Sequence, residues 1–168
     1  MSWAILGVDP SSKKLAGVAS PLDGSDPIYW HRVLPNESIE VRCLSAYKSA
    51  RAVIRRIQRE FDADRVGVFM EAPLVGRGGV KTTVVQSKVQ GAVLAGFISA
   101  GAEWAREANA SRTKKQTIGK GNADKADIML WVEETYPDIF EDIDGDQDLA
   151  DACMHWHAGL EIARKAKL

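Results

Sequence analysis

Disulfide and zinc chemistry have little to work with in this sequence. It holds two cysteines, Cys43 and Cys153, far apart in its 168 residues. Neither sits in a spacing that would hold zinc, so a reducing, cytoplasmic setting is the expectation. No apolar run approaches the roughly 18 residues of a membrane span, and the first residues do not show a basic stretch followed by an apolar one. Internal repeats, linkers and low-complexity tracts are also missing, which points to one domain over residues 1–168. Net charge is nearly absent, at −1, so bulk charge selects no partner. Its distribution is uneven. Residues 138–151 hold seven acids and no base, whereas 112–125 hold Arg112, Lys114, Lys115, Lys120 and Lys125 against Asp124.

What is present is an α/β pattern. Trp3 to Asp9, Leu15 to Ser20 and Ile28 to Leu34 read as three strands of an antiparallel meander, joined by a Ser-Ser-Lys-Lys turn and a polar loop. Ser38 is positioned to cap a helix over Ile39 to Phe61, whose apolar residues keep helical spacing. Its other face (Lys48, Arg51, Arg55, Arg56, Arg59) reads as solvated. Val66 to Met70 is a further buried strand, and Lys81 to Ser99 a helix containing Gly91, Ala92, Ala95 and Gly96. Glu103 to Glu107 is a short edge strand and Asn109 to Thr117 a small basic helix. Asn122 is the expected cap of a helix from Ala123 to Thr135, ended by Pro137. An acidic loop then leads to a last helix over Asp148 to Lys167. Trp131 and Trp156 read as core. The expected architecture is a mixed five-stranded sheet, three strands antiparallel and then parallel ones, with helices on its faces.

Two of these inner strands deliver an acid at their exits: Ile5-Leu-Gly-Val-Asp9 and Val66 to Met70 followed by Glu71. A carboxylate at the end of a buried strand is tolerated when something positive neutralises it. Asp9 standing before Pro10 also suits a plain turn. The last helix opens with Asp148-Leu-Ala-Asp151, and residues three apart share a helical face. Four carboxylates from two strand ends and one helix start suit Mg²⁺ or Mn²⁺, which prefer oxygen ligands. Two such ions can activate water and stabilise the leaving oxygen of a phosphodiester. The run from Asp142 to Asp148 imitates a calcium loop, but Gln147 and Cys153 stand where that loop needs Gly and Glu, so it is rejected.

These pieces together resemble the RuvC family of Holliday-junction resolvases, within the RNase H-like superfamily. The matching motifs are Ile-Leu-Gly-Val-Asp-Pro-Ser-Ser at 5–12, Phe-Met-Glu at 69–71 and Gln90-Gly91. Lys-Lys-Gln-Thr-Ile-Gly-Lys-Gly-Asn-Ala-Asp-Lys at 114–125 and Asp-Leu-Ala-Asp-Ala at 148–152 complete the set, in family order over nearly the whole chain. The resemblance implies an RNase H-like sheet and a homodimer that nicks branched DNA with two Mg²⁺ (or Mn²⁺) ions per active site. It assigns Asp9, Glu71, Asp148 and Asp151 as metal-binding, catalytic carboxylates. Some relatives carry His at the position of Asp148. Lys125, with either Lys114 or Lys115, matches lysines near the scissile strand. Arg77, Lys81, Lys88, Arg112 and Lys120 add basic charge expected to contact DNA.

The sequence departs from the family after Glu71. An aromatic commonly works there at the junction crossover, whereas Leu74 would be an aliphatic wedge, implying broader selectivity among branched DNAs. His155, one turn past Asp151, reads as packing or surface, with an indirect role at the acids as the sharper alternative. The functional expectation is a crossover junction endodeoxyribonuclease. Its alternative is a catalytically silent dimer that binds branched DNA. A kinase- or actin-like ATP-binding fold also begins with a Gly-x-Asp strand, but 168 residues are too few for its two lobes.

Overall fold

The computed structural model describes residues 1–73 and 79–168; Leu74 and Arg77 lie outside the described residues. The strands are β1 (Trp3–Pro10), β2 (Lys14–Pro21), β3 (Ile28–Val33), β4 (Arg65–Glu71) and β5 (Trp104–Ala108). They form one sheet in the order β3-β2-β1-β4-β5. β1 pairs antiparallel with β2, and β2 with β3, while β4 runs parallel to β1 and β5 parallel to β4. The helices are α1 (Ile39–Glu60), α2 (Gly79–Ser99), α3 (Ala110–Thr117), α4 (Lys125–Thr135), α5 (Pro137–Ile143) and α6 (Gln147–Lys165). The expected mixed sheet with helices on both faces is the fold observed. No helix among the described residues is long and apolar enough to cross a membrane.

Strand alternation divides the core in two. Ala4, Leu6 and Val8 of β1, with Val66, Val68 and Met70 of β4, pack against α1 and α2. Ile5 of β1, with Ala16 and Val18 of β2, faces α6 and the α4–α5 pair. The same period of two puts Gly7 and Asp9, Phe69 and Glu71, and Lys14 on the α6 side. Gly7 decides how near α6 can come. A Cβ there would collide with the backbone of Trp156 and Ala152. Across the contact, a Cβ on Gly159 would stand 2.8 Å from Ile5 and 3.1 Å from Phe69. Two glycines therefore let the helix lie directly on β1 and β4. Trp156 is fully buried and ties α6 to β2 by donating its indole N–H to Ser20 Oγ at 3.0 Å.

Two expectations need correction, and two details are added. The acidic stretch after Pro137 is not a loop: it forms α5, with Pro137 in the first turn, where a missing N–H costs nothing, and Ile139 and Ile143 buried one turn apart. The cap of α4 is Asp124 rather than Asn122, in a reciprocal capping box with Asp127. The small-residue stripe of α2 is split. A Cβ at Gly96 would stand 2.6 Å from Tyr47 O of α1, so Gly96 serves internal packing, whereas Gly91 and Ala95 face outward. Trp131, expected in the core, packs half-buried against the α6-side cluster, edge-on to Tyr136 and His157.

Candidate active site

The sheet brings Asp9 and Glu71 to adjacent strand ends, because Val8 is in register with Met70 in the parallel β1–β4 pair. The close seating of α6 adds Asp151 from above. All three are half-buried, and the carboxyls of Asp9 and Glu71 each shift the other's titration. Burial pushes Asp9 well above the usual carboxylate range, and the charges of Asp151, Glu71 and Asp148 push it further. Burial also raises Glu71, with the charge of Asp151 adding to it while the proximity of Asp9 opposes. Asp151 is raised by burial against the opposing pull of Lys114 and Lys125. Like charges gathered in a poorly solvated place raise one another's pKa, because burial and mutual repulsion both disfavour the charged form.

Asp148 is engaged elsewhere. Its carboxylate meets Lys14 Nζ at 2.7 Å. Lys14 also lies 3.6 Å from Asp146, the N-cap of α6. The ion pair with Asp148 holds the Lys14 ammonium above its usual value. Sequence reasoning passed over Lys14 as a turn residue. The alternation of β2, which sets Lys14 on the α6 face with Ala16 and Val18, was the available signal. The other acids of the calcium-loop mimic have separate duties. Asp142 accepts from Tyr29 Oη at 2.9 Å, Asp144 turns left-handed to end α5 (φ 45°), and Asp146 caps α6.

The lysines sort by geometry. Lys114, half-buried on α3, donates to Ala123 O at 2.8 Å, and its charge reaches both Glu71 and Asp151. Lys115 is exposed. Lys114 is thus the one of the pair that faces the acids. Lys125, at the start of α4, acts on Asp151. With Glu71, these two lysines line an open cleft of about 530 Å³. Lys120 does not join them, being paired with Asp127 at 2.7 Å. Arg112 lines a separate cleft with Arg106 and Gln116. Lys81 is exposed on the first turns of α2, and Lys88 lies beside Glu40 and Cys43 of α1.

Two further residues support the cluster. Gln90, buried on α2, donates to Pro10 O at 3.3 Å and fixes the exit of β1 behind Asp9. His155 is fully buried one turn beyond Asp151, tilted against Phe69, and neither ring nitrogen has a hydrogen-bond partner. Burial, with the nearby charge of Lys114, lowers its pKa to about 3, so the ring is neutral.

As donors, four carboxylates fit a hard divalent cation. Among the described residues, however, no three His, Cys, Asp or Glu side chains stand together as an ion-holding group. Asp148 is held by Lys14 at 2.7 Å, so side-chain rotation would have to complete the set.

The strand order, the mixed directions and the helices on both faces define the RNase H-like fold. Among solved structures, the chain is similar to Thermus thermophilus RuvC, with a TM-score of 0.61 and 22% identity over 98% of this chain and 95% of that one. It is also similar to T. thermophilus RuvC in complex with a Holliday junction substrate, with a TM-score of 0.63 and 21% identity over 94% and 96%. At that identity the likeness establishes the fold. No protein-family model matches the chain, and no curated protein does.

Proposed function

We propose that this chain is a divalent-metal-dependent DNA endonuclease that resolves Holliday junctions and cuts related branched DNA. The observation that supports the reading is that Asp9, Glu71 and Asp151 lie near enough at the sheet's exit to shift one another's pKa, with the charges of Lys114 and Lys125 acting on them. Asp9, Glu71, Asp151 and a re-aimed Asp148 would hold two Mg²⁺ or Mn²⁺ ions. Bound there, the ions supply an activated water and stabilise the leaving oxygen. The chain's own part is to carry four carboxylates on two strand ends and one helix start, within reach of one another. Lys114, tethered to Ala123 O, and Lys125 offer ammonium groups to the phosphate and to charge that develops as the bond breaks.

The active form is a homodimer, since two strands must be nicked. The supporting feature is the outward stripe of α2, where Val80, Val84, Gly91, Ala95 and Ile98 are all exposed. Labelled four-way, three-way, flap and linear duplex DNAs, incubated with Mg²⁺ or with EDTA, test the reading. Mg²⁺-dependent cutting of branched DNA and sparing of linear duplex is expected. Retention of junctions with no cutting under either condition would favour a silent junction-binding protein instead.

A further inference from the structure

We propose that Lys14 is a resident counter-ion that latches Asp148 away from the other three carboxylates, so that a divalent cation must displace it to recruit the fourth ligand. The inference rests on the nuclease reading above and concerns how its site is completed. Lys14 is held firmly at its backbone. Its N–H donates to Ser11 Oγ at 2.9 Å, and its carbonyl accepts from Ser11 N at 2.8 Å and from Ser11 Oγ at 2.9 Å. It also pairs with Val33 of β3. The tight turn after Asp9 therefore returns a lysine to the acid face only five residues later.

At its tip, the ammonium is shared between Asp148 at 2.7 Å and Asp146 at 3.6 Å. Asp146 cannot follow a moving partner, because its Oδ1 accepts from Asp148 N at 2.9 Å and Leu149 N at 3.1 Å as the cap of α6. His31 Nδ1 lies 3.7 Å from its other oxygen. Asp146 thus anchors Lys14, and Lys14 holds Asp148. Asp151, one turn along the same helix, is under no such restraint and faces Asp9 and Glu71.

The latch can open. The side chains of Lys14 and Asp148 are 32% and 34% exposed, so their pairing sits among the weak, water-screened ones. A doubly charged ion attracts Asp148 more strongly than a single ammonium does. Once released, Lys14 keeps Asp146 as a partner, so opening leaves no buried charge unpaired.

Calorimetric titration of Mn²⁺ into the DNA-free protein tests this directly. Lys14→Met, which keeps the aliphatic stem, should tighten the weaker Mn²⁺ binding by up to about fivefold, the upper end of what such an ion pair is worth. Lys14→Arg should retain wild-type affinity. In an Asp148→Asn background, Lys14→Met should change nothing, because the latched carboxylate charge is gone. Lys14→Gln provides a second break of the latch, and thermal melts establish that each variant folds. Unchanged or weaker Mn²⁺ binding by both folded Lys14 variants overturns the latch. Tightening that persists with Asp148→Asn also overturns it, since that would be a general charge effect. Absence of any Mn²⁺ uptake by the wild type would remove the nuclease reading and the latch together. Normal uptake and DNA cutting with no effect at Lys14 would remove the latch alone.

Discussion

Asp9 concentrates the energetic tension of the proposed site. Its carboxyl is raised by burial and by three neighbouring acids, so in the metal-free protein it adds most stability where it is protonated. That contribution is full below the ordinary Asp value of about 4 and is lost as pH rises through the raised value. At neutral pH, Asp9→Asn should therefore raise the melting temperature of metal-free protein by a few degrees, the scale of about 1 kcal/mol in a chain this long. The same change should abolish cleavage without loss of junction binding, as should Glu71→Gln and Asp151→Asn. Near-wild-type turnover by any of them, in a gel assay with Mg²⁺, would disprove the assignment.

His155 behaves in the opposite sense. Its pKa falls from 6.5 to about 3 on folding, so the unfolded chain binds the extra proton between those values. Stability is lost as pH drops through that window, by up to about 1.4 kcal/mol per pH unit. His155→Leu should remove that component, which urea melts at several pH values would detect as a shallower acid slope than the wild type. An unchanged slope would mean that His155 is solvated.

At the scale of elements, the decisive contact is α6 on β1. Gly7→Ala inserts a methyl into the backbone of Trp156 and Ala152. The helix must lift, costing about 1–3 kcal/mol as overpacking does, and Asp151 lifts with it. Cleavage should then fall far more than stability alone explains; full activity in the folded variant would deny that α6 places a ligand. Gln90→Leu should act more mildly, by freeing the β1 exit. Much of this level was legible beforehand. Strand periodicity located β1, β2, β3 and β4 to within a residue or so at each end. α5 was missed because Pro137 was read as a stop when it is a start, and a seven-residue helix leaves little periodic signal.

For the whole molecule, charge arrangement and assembly matter more than totals. With a net charge of −1, the proposed DNA affinity must come from local fields, and it should fall steeply with salt. Each phosphate contact adds about −0.9 to the slope of log affinity against log salt. Lys114→Ala should flatten the slope by about one contact's worth and also slow cleavage, since Lys114 reaches the acids. Lys115→Ala, on an exposed side chain, should affect the slope alone. Filter binding across a salt series, with single-turnover cleavage, separates the two; slowed cleavage from Lys115→Ala alone would reverse the assignment. Val84→Glu on the exposed stripe of α2 should yield monomers by sedimentation, and an unchanged dimer would place the interface elsewhere.

The sequence by itself determined the strands, the helical layers and the placing of acids at element ends, because strand alternation and apolar spacing are local signals. Tertiary structure alone decided which of them meet. Choosing Lys114 over Lys115 needed the rotation of α3 against α6. Separating Lys120 from the cluster needed its partner Asp127. Finding Lys14 at Asp148 needed the β1–β2 turn and the N-terminus of α6 in one place. Charges act through space at distances of a few ångströms, and residues 14 and 148 become neighbours only once Gly7 has let the helix down onto the strand.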